Sequence, residues 1–251
     1  MTHAGFFEGI GGFTLGAQRA GIETIYTCEI DEYRHNWLKY YLPHAIHERD
    51  INKAQGIRAD IYTAGFPCQD TSRANPRGKG LQGERSGLFY PFMDIVCRNK
   101  PRYVILENSP MLIYRKELLH ILREFTKCGY NAEWQVISKR AFAYPDERER
   151  LILIAYSKEI GRSDYSQIFC KTYYQIIRQQ ITERLELEKS RPKHLDSEKI
   201  WQKFITGTLQ ADTGLPQELV KNEIAGYGDA ICPDVAQLAF ELIKIFDKNN
   251  T

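Results

Sequence analysis

The stretch Phe7-Glu8-Gly9-Ile10-Gly11-Gly12-Phe13 decides the fold class predicted for this chain. It follows a short apolar run, Ala4–Phe7, that favours a β-strand, and it leads into a segment with helical spacing. Glycines at such a turn let the backbone approach a ligand closely at the amino end of a helix. Taken alone, the turn is as consistent with a simple tight turn that requires glycine.

The alternation of strand and helix continues through residues 1–156. The candidate strands are Ala4–Phe7, Thr24–Cys28, Ile61–Ala64, Tyr103–Glu107, Glu133–Ile137 and Leu151–Ala155. The segments between them have helical spacing, and in Glu117–Lys127 the residues on one face are Leu118, Leu119, Leu122 and Phe125. This order predicts an α/β fold, a mostly parallel sheet with helices on both faces. Ligand sites in such a fold lie at the carboxyl ends of the strands.

The remainder of the chain has a different composition. Gln175–Lys189 is polar and charged, which predicts a small, mainly helical region at residues 157–211. From Pro233 onward, apolar residues at helical spacing predict a last helix that packs on the main core. Those residues are Val235, Leu238, Ala239, Leu242, Ile243 and Phe246. We therefore expect a main domain at 1–156, a small region at 157–211, and a segment at 212–251 that returns to the main domain and frays from Asp247.

Composition sets broad limits on the class of protein. A chain of 251 residues can bury a full core, and 43% hydrophobic with 26% charged residues is typical of soluble globular proteins. The net charge of +2 neither requires nor excludes a nucleic-acid partner. No apolar run approaches the roughly 20 residues of a membrane span. Because the six cysteines form no Cys-x-x-Cys pair and the first residues resemble no signal peptide, we expect free thiols in a reducing cytoplasm.

Two acidic residues follow early strands of the predicted sheet. Glu29 ends the second strand, where a carboxylate can accept from both ribose hydroxyls of a nucleoside cofactor. Asp50 could accept from an adenine amino group, although an isolated Asp is more often a turn residue. His44 and His47 precede Asp50 at a loose metal-like spacing, but no further ligand accompanies them, so we expect no metal site.

Cys68 leaves the strand Ile61–Ala64 and enters a polar loop. A free cysteine is most often a small buried hydrophobe, but the neighbours Pro67, Gln69 and Ser72 argue against a core position. An exposed cysteine at a strand end can be a nucleophile if its thiolate is stabilised. The loop continues to residue 86 with four basic residues, which suits a mobile flap over a polyanion. They are Arg73, Arg77, Lys79 and Arg85.

Three charged residues lie at the ends of later strands. Glu107 closes an apolar strand, so its pKa should be raised as a proton donor requires, unless it is simply a solvated strand end. Arg148 and Arg150 alternate along the start of another strand, point the same way, and could fork onto a carbonyl, carboxylate or phosphate. The alternating Glu and Arg there would equally suit a surface ladder of salt bridges.

In this order, the motifs resemble the C5-cytosine DNA methyltransferase family. The resemblance covers nearly the whole chain except residues 157–211, and it looks most like the compact phage and bacterial members. Phe66-Pro67-Cys68-Gln69 is its most specific string. The segments that carry the resemblance are Phe7–Gly12, Glu29, Gly65–Ser72, Gly80–Phe89, Glu107–Asn108, Arg148–Arg150 and Gly228–Pro233.

The resemblance implies methyl transfer from S-adenosylmethionine to C5 of a cytosine flipped out of double-stranded DNA. Cys68 would add to C6, and Glu107 would hold and protonate N3. Arg150 would hold the base through O2, and Arg148 would support the site. The cofactor, which leaves as S-adenosylhomocysteine, would contact Phe7, Gly9, Ile10, Gly11, Gly12, Glu29, Ile30, Asp50, Ile51, Gly65, Pro67, Asp229 and Ala230. DNA would contact Gln69, Ser72, Arg73, Arg77, Lys79 and Arg85.

The resemblance also implies a cytoplasmic, bacterial or phage-encoded monomer without metal or membrane partner, and a possible cognate restriction endonuclease. Asp146 replaces the usual Gln or His and Asp229 the usual Asn, and either added charge could weaken DNA or cofactor binding. A target-recognition region of about 55 residues can supply few base contacts, which predicts a short recognition sequence or loose specificity. Two alternatives stay open: the same chemistry on transfer RNA, and a weakly active or inactive relative that only binds nucleic acid.

Overall fold

A computed structural model describes residues 1–67, 86–114, 117–142, 148–160, 168–169, 172–190 and 231–250. Their strands are β1 (Thr2–Phe6), β2 (Glu23–Cys28), β3 (Ile46–Glu48), β4 (Ile61–Ala64), β5 (Tyr103–Asn108), β6 (Tyr130–Ser138) and β7 (Glu149–Ser157). Across the sheet the strands lie in the order β3-β2-β1-β4-β5-β7-β6. The first five are parallel to one another, and β7 is antiparallel to both β5 and β6.

Helices cover both faces of this sheet. They are α1 (Gly12–Arg19), α2 (Glu32–Tyr41), α3 (Phe89–Asn99), α4 (Met111–Tyr114), α5 (Glu117–Lys127), α6 (Thr172–Ser190) and α7 (Pro233–Asn250), with 3₁₀ turns at Ser86–Leu88 and Lys139–Phe142. Alternate strand residues enter opposite cores, as the period of two requires: Leu106 packs with α3 and α5, and Ile105 packs with α1 and α7. The predicted α/β class with a mostly parallel sheet is confirmed.

Helix α7 packs closely on α1, although more than two hundred residues separate them in the chain. A Cβ atom added to Gly16 would lie 2.5 Å from the Cβ of Ala236 and 2.8 Å from the backbone nitrogen of Gln237. Arg19 and Asp234 form an ion pair at 2.8 Å across the same contact. The absence of a side chain at Gly16 is therefore what allows the last helix to reach the first.

The carboxyl-terminal end of α7 is held against β5. The Asp247 carboxylate accepts hydrogen bonds from the Arg102 guanidinium and, at 2.8 Å, from the hydroxyl of Tyr103. The helix consequently continues to Asn250, and the expectation of a frayed tail from Asp247 is wrong for residues 247–250. Thr251 lies outside the described residues.

The apolar face was predicted more accurately for α7 than for α5. All six apolar positions predicted for α7 are buried. On α5, however, Leu119 is exposed, and Ile121 instead lies in the core beside Leu118 and Phe125. The sheet contacts the face formed by residues three and four apart from Leu118, and Leu119 is rotated away from that face. Strand β3 was not predicted, because this three-residue edge strand carries too little apolar pattern.

Helix α6 confirms the helical character predicted for Gln175–Lys189, and it contacts the main core. Ile177 is buried in the same cluster as α7, with Tyr173 and Ile176 packed against it. Just before α6, the backbone N–H groups of Ile168 and Phe169 point to the carboxylate of Glu133 on β6. The boundaries proposed at 156 and 211 remain predictions.

The cysteines are not all free. Cys97 at the end of α3 and Cys128 after α5 form a disulfide, with Cα atoms 5.4 Å apart, so the expectation of six free thiols is wrong for this pair. Cys28 and Cys232 are free and buried. Among the described helices, none is long and apolar enough to cross a membrane.

Replacing Gly16 by leucine should separate α7 from α1, because the added side chain would overlap backbone and Ala236. We expect Gly16→Leu to lower the free energy of unfolding by about 3 kcal/mol, measured by urea denaturation. Gln18→Leu places the same side chain on the exposed face of α1 and should change stability by less than about 0.5 kcal/mol. Equal stability of the two variants would contradict the packing described.

Candidate functional site

The turn between β1 and α1 is the most contorted backbone of the sheet's carboxyl edge. Phe7, Gly9 and Gly11 have positive φ values of 54°, 61° and 92°. A positive φ is unusual for a residue with a side chain, so Phe7 is held in a strained conformation. The backbone N–H of Phe7 donates to the carbonyl of Cys28 at 2.9 Å, and this bond fastens the turn to the end of β2. This bond anchors the turn to the neighbouring strand.

Glu29 ties the same turn to the loop after β2. Its side chain accepts from the backbone N–H of Gly9 at 2.8 Å and from that of Asp31 at 3.0 Å, one bond to each oxygen. The residue is only 6% exposed. Because each carboxylate oxygen can accept a second hydrogen bond, Glu29 can still accept from the hydroxyls of a ligand placed over the turn.

Asp50 forms the turn that follows β3. Its carboxylate accepts from the backbone N–H of Asn52 at 3.0 Å and from the Asn52 side chain at 3.1 Å, and these bonds hold the pKa of Asp50 below its usual value. The structure therefore supports the alternative of a turn residue, and an adenine contact remains a prediction. Of its neighbours named as cofactor contacts, Ile51 is buried and Ile30 is exposed.

The ends of β4 and β5 meet at Gly65. A Cβ atom added to Gly65 would lie 3.2 Å from an Oε atom of Glu107, and the side-chain amide of Asn108 donates to the carbonyl of Phe66 at 3.1 Å. These contacts place Pro67 beside the Glu107–Asn108 pair. Several predicted site residues lie outside the described residues: Cys68, Gln69, Ser72, Arg73, Arg77, Lys79, Arg85, Asp229 and Ala230, together with Asp146.

Glu107 and Arg150 form the central ion pair of the site. The Nε of Arg150 lies 2.5 Å from an Oε of Glu107, and both side chains are mostly buried. Burial raises the pKa of Glu107, while the charges of Arg150 and then Arg148 oppose that rise. The raised pKa predicted for Glu107 is confirmed. The surface-ladder alternative is wrong for Arg150, because its partner is Glu107 on the neighbouring strand.

A small cleft adjoins this ion pair. Its lining residues are Ile137, Lys139, Arg148, Arg150, Ile231, Cys232 and Val235. Lys139 was not singled out from the sequence. Lys139 lies next to Arg148 because its backbone N–H donates to the carbonyl of Arg148 at 3.1 Å, between the end of β6 and the start of β7. Lys139 thus lines the same cleft as Arg148 and Arg150, and the charges of the two arginines act on Glu107.

The segment that precedes α7, Ile231 and Cys232, lies against the start of α1 and lines the cleft. A Cβ atom added to Gly12 would lie 2.6 Å from the carbonyl oxygen of Ile231. Gly12 therefore allows this segment to pass directly against the start of α1, between the glycine turn and the cationic cleft. Sequence reasoning placed the two stretches in one site by resemblance, and the close approach of their backbones is the physical reason that they meet.

A family model described as C-5 cytosine-specific DNA methylase matches residues 1–230. The chain belongs to this family. Relatives include the type II methyltransferase M2.BsuMI of Bacillus subtilis (strain 168), 31% identical over 163 residues, which are 62% of this chain and 42% of that protein. The type II methyltransferase M.HpaII of Haemophilus parainfluenzae is 33% identical over 179 residues, 66% of this chain and 49% of the relative.

Solved structures show the same fold. The crystal structure of S. pombe Dnmt2 methyltransferase superposes with a TM-score of 0.54 and 20% identity, covering 66% of this chain and 57% of that one. The present member of the C-5 cytosine methylase family spans less than half the length of each of the two curated relatives. Among the residues that the structure describes, no group of three His, Cys, Asp or Glu side chains could hold a metal ion.

Without the cation at position 150, the buried carboxylate of Glu107 should destabilise the folded protein. Because burial raises the folded-state pKa of Glu107, its contribution to stability is lost as pH rises through that pKa. We expect Arg150→Met to lower the free energy of unfolding by about 2 kcal/mol, with the deficit growing as pH rises. Urea denaturation over a pH series measures this.

The double variant Arg150→Met/Glu107→Gln should recover most of the loss, because no buried charge remains. Arg123→Met, which removes an exposed cation from α5, serves as the control and should change stability by less than about 0.5 kcal/mol. A pH-independent deficit in Arg150→Met would show that the ion pair does not govern the charge of Glu107.

Proposed function

We propose that this protein transfers the methyl group of S-adenosylmethionine to C5 of cytosine in double-stranded DNA. The observation that carries the proposal is the buried Glu107–Arg150 pair, which lies beside the residues that lead into Cys68. Membership of the C-5 cytosine-specific DNA methylase family supports it. The relatives M2.BsuMI and M.HpaII are type II methyltransferases, which agrees with DNA as the substrate.

The residues at the carboxyl ends of β1 and β2 fit the cofactor. The glycine turn at Gly9 and Gly11 can approach S-adenosylmethionine closely, and the carboxylate of Glu29 can still accept hydrogen bonds from the ribose hydroxyls. Asp50 would meet the adenine. When bound, S-adenosylmethionine supplies an electrophilic methyl group. The remaining contacts proposed for it are Phe7, Ile10, Gly12, Ile30, Ile51, Gly65, Pro67, Asp229 and Ala230.

The chemistry proposed for the chain's own residues begins at Cys68. Its thiolate adds to C6 of the cytosine, and the electron pair displaced toward N3 is met by the proton of Glu107. Burial raises the pKa of Glu107, which favours that proton donation. C5, now nucleophilic, takes the methyl group. Loss of the C5 proton to a base then expels Cys68 as thiolate, and N3 returns its proton to Glu107, which restores the neutral aromatic ring.

The two arginines and Lys139 would position the base and balance its charge. Arg150 would hold O2 of the cytosine while it keeps Glu107 oriented, and Arg148 would support both. A cytosine inside a duplex cannot reach these groups, so it must be flipped out of the stack. Gln69, Ser72, Arg73, Arg77, Lys79 and Arg85 would contact the DNA around it.

We further infer a monomer in the cytoplasm of a bacterium or of a phage-infected cell, with or without a cognate restriction endonuclease. Since the segment between β7 and α7 is short, few base contacts are available there, and the recognition sequence should be short or loosely read. Mapping modified cytosines by bisulfite sequencing in cells that express the protein measures both the activity and its sequence context. A level of 5-methylcytosine no higher than in cells that lack the protein would contradict the proposal.

Cys68→Ser should reduce methyl transfer to background, because a hydroxyl is a far weaker nucleophile than a thiolate. Duplex DNA that carries 5-fluorocytosine should trap the unchanged protein covalently, since fluorine at C5 cannot leave as a proton does. The adduct should be absent with Cys68→Ser and present with Cys170→Ser, the control for a cysteine substitution. Denaturing gel electrophoresis detects it. An adduct that survives Cys68→Ser would identify a different nucleophile.

The choice of nucleic acid is tested by parallel assays on duplex DNA and transfer RNA with the same tritiated donor. We expect label in cytosine of the duplex and none above background in the transfer RNA. The reverse result would assign the chemistry to RNA. Label in neither substrate, together with tight binding to both, would make the protein an inactive nucleic-acid-binding relative.

A further inference from the structure

Glu8 is a buried carboxyl group inside the glycine turn that the mechanism above does not use. The residue is 4% exposed. One oxygen, Oε1, accepts two hydrogen bonds at 2.7 Å from Thr14, one from its backbone N–H and one from its hydroxyl. The backbone carbonyl of Glu8 also accepts from Gly11 at 3.0 Å. Glu8 therefore joins the turn to the first turn of α1.

The second oxygen of Glu8 has no hydrogen-bond partner among the described residues. It lies over the backbone of β1, where a Cβ atom added to Gly5 would be only 2.0 Å from it. Gly5 thus leaves the space that this oxygen fills near the carboxyl end of the strand. A buried, half-satisfied carboxyl is costly, and such groups persist where they serve a ligand or a reaction.

No cation among the residues that the structure describes offsets the charge of Glu8. Burial and, to a lesser extent, the negative charge of Glu29 raise the pKa of Glu8 to about 7, against the lowering effect of its bonds to Thr14. His3, two residues before Gly5 on the same strand, offers no cation, because burial lowers its pKa to about 3. Arg19 and Asp234, where α1 meets α7, pair with each other.

We propose that Glu8 is a positioning residue that makes the turn favour the positively charged methyl donor over the neutral product. This rests on the proposed use of S-adenosylmethionine. The sulfonium of the donor carries a positive charge that S-adenosylhomocysteine lacks, whereas both share the same adenosine, amino and carboxylate groups. An ionised carboxyl under the turn, shielded from water, attracts that charge more strongly than it would in solvent.

Proton linkage follows from this arrangement. A bound cation lowers the pKa of Glu8, so binding of the donor near neutral pH releases part of a proton, and binding of the product releases less. The affinity for the donor therefore rises relative to that for the product as pH increases through the pKa of Glu8. Each unit by which the cation lowers that pKa corresponds to about a tenfold preference at high pH.

Isothermal titration calorimetry on the whole protein tests this. S-adenosylmethionine and S-adenosylhomocysteine are titrated at about pH 5.5 and about pH 7, and near pH 7 in buffers of different ionisation enthalpy. We expect the ratio of donor to product affinity to rise about threefold to tenfold with pH, and donor binding to release a fraction of a proton. Over this pH range the amino groups of both ligands stay protonated and their carboxylates stay ionised, so these groups cancel in the ratio.

Glu8→Gln keeps a carbonyl oxygen for Thr14 but cannot ionise, and it should give a pH-independent ratio without the proton release. Glu23→Gln removes an exposed carboxylate at the opposite end of β2 and should behave as the wild type. A wild-type ratio that does not change with pH, or a Glu8→Gln ratio that still does, would overturn the inference. The wild-type titrations decide the matter even if Glu8→Gln fails to fold. Failure to bind either ligand at any pH would instead overturn the proposed cofactor.

Discussion

The close contact between α1 and α7 is the constraint on which the rest of the structure depends. Gly16 lets the two helices approach, and Gly12 lets the segment before α7 pass directly against the start of α1. Because of this approach, Ile231 and Cys232 line the cleft with Arg148 and Arg150, residues from an entirely different part of the chain. The carboxyl-terminal helix is thus part of the site's framework as well as of the core, and Arg19–Asp234 holds it in place.

Three buried carboxyl groups at this edge of the sheet show how differently a charge can be accommodated. Glu29 is surrounded by backbone N–H donors, Glu107 faces a guanidinium, and Glu8 has donors on one oxygen only. The first is a ready hydrogen-bond acceptor. Burial raises the pKa of the second, Glu107, against the opposing charge of Arg150. Burial raises the pKa of the third, Glu8, to about 7. The roles that we propose for these groups, cofactor binding, proton donation and charge selection, thus rest on three different surroundings of one side-chain type.

The sequence predicts much of this arrangement, because its main elements carry strong local patterns. Apolar runs located six of the seven described strands, and helical spacing identified six buried residues of α7 but missed Ala236 and Phe240. The raised pKa of Glu107 followed from an apolar strand ending in a carboxylate. What the sequence does not predict depends on tertiary contacts: the burial of Ile121 in place of Leu119, the anchoring of Asp247, the pairing of Cys97 with Cys128, and the arrival of Lys139 beside Arg148. None of these has a local pattern that distinguishes it.

The reversed direction of β7 has a consequence for how such proteins change over time. Because β7 runs antiparallel to β5, it begins at the edge of the sheet where β5 ends, and Arg150 at its start therefore lies in the site. At the other end of β7, the backbone N–H of Ser157 donates to the carbonyl of Arg102. The residues directly after Ser157 therefore leave the sheet at the end remote from Glu107 and Arg150. Changes in length just after Ser157 can therefore occur without displacing Glu107 or Arg150, so the recognition region that we propose there is free to diverge while the proposed reaction is preserved.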